Sequence, residues 1–122
     1  MHAAVHERVR KLRERGVIRR TTVDVDPERV GLPTLAFVLL RSTAWMGDPD
    51  RAAAIAALPA VQEAHIVAGH ASVLVKVRAR SNADLQAVLR QLHGIDGISD
   101  TETVMVLDTM FERSIDLQSP GD

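Results

Sequence analysis

A chain of 122 residues, 46% apolar and 25% charged with a formal net charge of −1, has room for one ordinary globular domain and a short appended element. Having no cysteine excludes a disulfide framework, a thiol nucleophile and a thiolate zinc site. The longest apolar run, Leu35 to Leu40, is far short of a membrane span, and Arg and Glu stand where a signal peptide would be apolar, so a cytoplasmic location is expected.

The near-zero net charge hides an asymmetry. Residues 1–20 hold Arg8, Arg10, Lys11, Arg13, Arg15, Arg19 and Arg20 against Glu7 and Glu14, about +5, while the remainder carries about −6. A basic end on an acidic body points to a polyanion partner; a solvated helix face is the plainer alternative. One tryptophan, two phenylalanines and no tyrosine leave little for stacking single-stranded bases.

In chain order, residues 2–15 read as an amphipathic helix, with Val5, Val9 and Leu12 on one stripe and Gly16 where a helix stops. Val17 to Val25 reads as a short strand, and Asp26-Pro27-Glu28-Arg29 as the start of a turn or a short helical turn. Gly31-Leu32-Pro33 breaks the chain before the main domain, which is drawn at residues 33–122, with 1–32 as an appended element. Thr34 to Ser42 is a strand apolar on both faces, so both faces need cover. Asp48 caps a helix with Pro49 in its first turn, which runs through Ile55 to Leu58 and ends at Pro59.

Val61 to Ala68 and Ser72 to Arg80 form two strands around a tight turn at Gly69-His70-Ala71-Ser72. Val73, Val75, Val77 and Ala79 alternate with Leu74, Lys76 and Arg78, the period of a half-buried strand. Ser81 caps a second helix whose Leu85, Val88, Leu89 and Leu92 follow helical spacing, and Gly94 ends it. Ile98 to Thr109 is a closing strand, with Val104 and Val106 on one side and Thr101, Thr103, Met105 and Leu107 on the other; the tail beyond Phe111 is expected to fray.

The order is strand-helix-strand twice, the βαββαβ plan of an α+β ferredoxin-like sandwich, a four-stranded antiparallel sheet with two helices on one face. That plan leaves one sheet face uncovered. Leu35 or its neighbour, Phe37, Leu39, Val67, Leu74, Met105 and Leu107 are the candidates for it. An apolar patch of that extent predicts a homodimer joined through sheet faces or edges, burying about 1,200–2,000 Å² or more.

The run Ala4 to Arg19 followed by Val23 to Leu32 resembles the Lrp/AsnC (leucine-responsive, feast/famine) transcription regulators, in which it forms the recognition helix of a helix-turn-helix, a linking strand and the entry to a second domain. The βαββαβ part resembles their effector-binding RAM domain, and Ile95 to Asp108 matches its closing strand. The resemblance covers nearly the whole chain, and its helix-to-linker motif is the more specific part. It implies a dimer that often assembles into octamers of four dimers, and a small effector, usually an amino acid, held between dimers near the hairpin turn and the closing strand. Carried over residue by residue, that points to Gly69, His70 and Ser72 with Thr101 and Thr103, whose hydroxyls and backbone amides suit a carboxylate. It also points to His6, Arg8, Arg10 and Lys11 as the groups facing DNA.

Two departures shape what is expected. The chain opens almost at the recognition helix, without the two helices that normally precede it in such regulators. Phosphate attraction by His6, Arg8, Arg10 and Lys11 is therefore expected to outlast base reading, so that DNA binding is impaired or absent in the chain as written. The family's usual turn is Gly, any residue, an aromatic, then Asp; here it is Gly69-His70-Ala71-Ser72, without the aromatic wall or the acid.

Other readings of the same residues are plainer. His65 and His70 do not have a zinc spacing and no third ligand set is obvious. Ser72 and His70 lack an acidic orienter for nucleophilic catalysis. His93 near a helix end suits the last carbonyls or solvent. Thr101 and Thr103 are equally good strand formers at an interface. No cofactor is implied. Beside the effector-sensing regulator stand two alternatives: a stand-alone RAM module that joins full-length relatives, and a small dimeric ferredoxin-like enzyme, for which His65 with Glu63 is the only pairing in view.

Overall fold

The structure is a computed structural model that describes Glu7, Arg10 and residues 25–115. The recognition helix, linking strand and appended element expected within residues 1–32 thus fall largely outside the described residues, as does the chain beyond residue 115.

Asp26 to Leu32 forms the expected turn. The Leu32 amide donates to the Pro27 carbonyl at 2.8 Å, the Glu28 amide to Asp26 Oδ1 at 3.0 Å, and Gly31 takes a φ of 79° that a side chain would disfavour. Pro33 then leads into β1 (Thr34–Ser42), followed by α1 (Pro49–Ala56), β2 (Val61–Ile66), β3 (Val73–Ala79), α2 (Asn82–His93) and β4 (Ile98–Met105). The sheet order is β2-β3-β1-β4 with every pair antiparallel, which makes the fold a ferredoxin-like α+β sandwich.

Both helices are capped as their sequences direct. Asp48 accepts from the Asp50 amide at 2.8 Å and Ser81 from the Asp84 amide at 3.1 Å, relieving first-turn donors that have no partner inside the helix. Both helices cover one face of the sheet. That face carries Ala36, Val38 and Leu40 from β1 opposite Val77, Val75 and Val73 from β3, all at most 2% exposed, with Ile55, Leu85, Val88 and Leu92 packed over them. Arg51 reaches from α1 to the turn before β4. It donates to the Asp96 carbonyl at 3.1 Å and lies 3.4 and 3.5 Å from the carboxylates of Asp48 and Asp96.

Three expectations are corrected in detail. α1 stops at Ala56 rather than Leu58, because the Leu58 amide already turns back to the Ile55 carbonyl at 3.1 Å, ahead of Pro59. The hairpin strands end at Ile66 and begin at Val73, a turn wider than the four residues expected, closed by the Val67 amide on the Ser72 carbonyl. β4 stops at Met105 rather than Thr109, opposite Ala36 of β1, with a last bond from the Val106 amide to the Leu35 carbonyl at 3.0 Å.

The uncovered face is also partly reassigned. Phe37, Leu39 and Leu74 lie on it as expected, and so does Leu35, although Leu35 is only 8% exposed. Met105 does not: it stands opposite Ala36, on the helix side. Val104, opposite Phe37, takes its place, and Leu107 lies beyond the sheet altogether. Residues along β4 alternate as their sequence indicates; the phase against β1 depends on pairing register, which a single strand does not reveal.

Candidate functional site

The β2–β3 hairpin tip, the end of β1 and the start of β4 meet at one end of the sheet. The Ser72 amide donates to the Leu40 carbonyl at 2.8 Å, pinning the tip to the end of β1. Gly69 takes a φ of 127°, a conformation an L side chain rarely adopts, and so permits the turn that sets His70 and Ala71 beside β1. On the far side of β1, pairing with β4 slips between Arg41 and Ser42. Arg41 faces Asp100 and Leu39 faces Glu102, whereas Ser42 faces Ile98. Such a bulge re-aims side chains at a sheet rim.

A cavity of about 280 Å³ opens there, lined by Leu39, Arg41, His70, Ala71, Asp100, Thr101 and Glu102. Arg41, His70, Asp100 and Glu102 are exposed, and none of the four is held in an ion pair among the described residues. Asp100 Oδ1 accepts the Thr101 amide at 2.9 Å. The guanidinium offers a fork for a carboxylate, and the two carboxylates offer acceptors for an ammonium. A second cavity of about 250 Å³ lies on the other flank of the tip, bounded by Trp45, Met46, Ile66, Val67, Gly69, Ala71 and Ser72 among others.

The five residues expected to hold an effector thus divide. His70 and Thr101 share the charged cavity; Gly69 and Ser72 line the second. Thr103 lines neither, standing opposite Val38 on the helix-covered side. Of the expected DNA-facing residues, His6, Arg8 and Lys11 lie outside the described residues. Arg10 is exposed, and its guanidinium is bound to Glu7 one turn earlier, with Nε donating at 3.2 Å.

Sequence reasoning missed Arg41, Asp100, Glu102 and Trp45. Arg41 carries a signal in hindsight, as the one charge in a strand otherwise built of apolar residues and small hydroxyls. Asp100 comes to stand opposite Arg41, and Glu102 opposite Leu39, only through register.

Away from the rim, Glu63, His65 and Lys76 form a cluster on the uncovered face. His65 Nε2 donates to Glu63 Oε1 at 3.0 Å and Lys76 Nζ lies 3.5 Å from Glu63 Oε2. The His65 hydrogen bond, aided by the Lys76 charge and opposed by slight desolvation, holds the Glu63 carboxyl below its ordinary value. Among the described residues there is no group of three or more His, Asp or Glu side chains that could hold a metal ion, and no helix long and apolar enough to cross a membrane.

Comparison with known proteins converges on one family. The model of the Lrp/AsnC ligand binding domain matches residues 36–115. The HTH-type transcriptional regulator FL11 of Pyrococcus horikoshii is 36% identical over 112 residues, spanning 92% of this chain and 74% of that protein. The regulatory protein AsnC of Escherichia coli is 34% identical over 112 residues, covering 91% and 74%. Among solved structures, E. coli AsnC superposes with a TM-score of 0.81 at 33% identity over 93% of this chain and 76% of that one. The feast or famine regulatory protein of M. tuberculosis complexed with L-methionine superposes at 0.75 with 30% identity, over 90% and 74%.

Proposed function

Because this chain belongs to the Lrp/AsnC family, whose relatives above are named as transcriptional regulators and not as enzymes, we propose that it senses a small amino-acid-like effector at the rim where the β2–β3 hairpin meets β1 and β4. The observation that carries this reading is the charged cavity: one guanidinium and two carboxylates, none of them in an ion pair among the described residues, around a hollow of about 280 Å³. In this reading Arg41 takes the effector's carboxylate, Asp100 and Glu102 take its ammonium, and His70 and Thr101 add hydrogen bonds. The L-methionine bound by the mycobacterial relative is a molecule of that chemistry.

Sensing is coupled to assembly. The uncovered face, with Phe37, Leu39, Leu74 and Val104 framed by Glu63, Lys76 and Glu102, suits a second copy of the chain, giving a homodimer in the cytoplasm. The cavity opens at the rim, where dimers can join into octamers. An effector there shifts assembly only by its differential affinity for the two assembly states. The basic N-terminal run containing His6, Arg8, Arg10 and Lys11 supplies phosphate contacts to DNA more readily than base reading.

Sedimentation velocity with the twenty amino acids added singly tests this. At least one should bind and change the size distribution. If none binds by calorimetry and none alters sedimentation, the effector reading is wrong.

A further inference from the structure

β4 is the last strand, but a strand-like pattern continues beyond it. Leu107, Thr109, Phe111, Arg113 and Ile115 fall on one side of an extended segment, and Asp108, Met110 and Glu112 on the other. The Arg113 guanidinium lies over the Phe111 ring, 5.0 Å from its centroid, as side chains two apart on one side of an extended chain do. The chain bends at Leu107, so the sidedness of β4 does not carry into this segment. All nine residues from 107 to 115 are exposed and outside any strand.

Leu107 is 97% exposed, Phe111 69% and Ile115 86%. A single apolar side chain in water needs no explanation; three on one side of a segment that is exposed from end to end do. The chain's own sheet does not receive them. The Val106 amide still bonds to the Leu35 carbonyl, and beyond it Leu107, Asp108, Thr109 and Glu112 border a hollow of about 260 Å³ with Asp26, Pro27 and Pro33. The segment therefore runs past the end of β1 beside the turn that precedes it, off the sheet and not back over it. Termini with nothing to hold them fray, yet the Lrp/AsnC ligand binding domain match extends through this one to residue 115, so the segment belongs to the domain.

The open face of the sheet is short of apolar area where the segment has it in excess. Phe37, Leu39 and Leu74 are each only partly exposed there, and Val104, at 48%, is that face's one exposed large apolar side chain among the described residues. A stable pair needs about 800 Å² from each copy. An extended segment of this length reaches about 30 Å, and the outer strands of a four-stranded sheet are only about 14 Å apart, so it can cross the whole face of another copy. We infer that residues 107–115 are an exchanged arm: each copy lays Leu107, Phe111 and Ile115 across the open sheet face of a second copy, against Phe37, Leu39 and Leu74 there, with Asp108 and Glu112 turned to water. The assignment rests on the open-face dimer proposed above. Exchange between identical copies buries both arms at once, and the contact is isologous and closed.

The test is sedimentation equilibrium of the full chain beside Leu107→Asp, Phe111→Asp and Glu112→Gln. The two apolar-side variants should dimerise about tenfold more weakly than the parent, or worse. Glu112→Gln should dimerise as the parent does, and circular dichroism should be the same for all, because no strand of the sheet depends on the segment. The chain has no cysteine, so an engineered pair reports which copy receives the arm. Phe111→Cys copies mixed with Leu39→Cys copies and oxidised should give a covalent mixed dimer, identified by mass, and a chain carrying both substitutions should crosslink between copies. Parent-like dimer affinity in Leu107→Asp and Phe111→Asp, no mixed dimer, or a disulfide formed within one copy overturns the arm. If Phe37→Lys still separates the copies in that case, the open-face reading stands without it. A parent that is monomeric at every concentration overturns both.

Discussion

Glu63 and His65, two residues apart on the same face of an edge strand, are joined by a 3.0 Å hydrogen bond, and Lys76 on the neighbouring strand approaches the same carboxylate. A carboxyl held below its ordinary value in the folded state adds stability above the ordinary carboxylate range and loses it as the pH falls through the folded value. Both partners are about half exposed, so the contribution is small, below about 1 kcal/mol. An NMR titration should show the Glu63 side chain ionising at lower pH than in the His65→Gln variant. Coincident titrations would mean the hydrogen bond has no influence in solution.

Breaking the core should be far costlier. Leu92, in the last turn of α2, is fully buried against the sheet, and Leu92→Ala removes that packed side chain and leaves a cavity, so a loss of about 2–5 kcal/mol is expected. Urea unfolding, with an unchanged slope and a lower midpoint, is the appropriate measurement.

The uncovered sheet face should answer to charge. Phe37→Lys puts an ammonium directly opposite Lys76 and Val104, in the middle of the proposed dimer surface. Burying it against a second copy is unfavourable, so sedimentation equilibrium should find monomers where the parent forms dimers, with circular dichroism unchanged. Dimers of unaltered affinity would move the interface elsewhere.

At the rim, Arg41→Gln removes the one cation aligned with Asp100 while keeping an amide of comparable reach. Binding of whichever amino acid proves to be the effector should weaken about tenfold or more, equivalent to about 1.4 kcal/mol, and should weaken equally for amino acids with different side chains, since Arg41 reads the head group.

Capping offers a further check on how the fold is encoded. Ser81→Ala leaves the Asp84 amide without its 3.1 Å acceptor and should cost about 1 kcal/mol, whereas Ser81→Asp should be nearly neutral. Thermal unfolding of the two variants separates these outcomes.

The elements were legible in the chain because each is signalled locally: Asp48-Pro49 and Ser81 open helices, Gly94 closes one, and valines at alternate positions make β3 a strand. What local pattern does not carry is pairing. The alternation of β4 fits Met105 on either face; only the ladder to Ala36 fixes which side it takes. The same limit hid the rim. Gly69, His70 and Ser72 announce a turn, but Arg41 and Asp100 are 59 positions apart and become neighbours through register alone. Trp45 gave no period to follow, being a single aromatic in a loop.

Arg51 lends the rim a mechanical quality. By tying the head of α1 to the turn that enters β4, with Gly97 at a φ of 92° leaving space for the guanidinium, it fastens together the two crossover connections that flank the cavities. The walls around a bound molecule are then set before it arrives, and little ordering entropy is spent on capture. Loosening that fastener with Arg51→Ala leaves every proposed contact residue in place and still slackens the grip, so that the ligand departs faster.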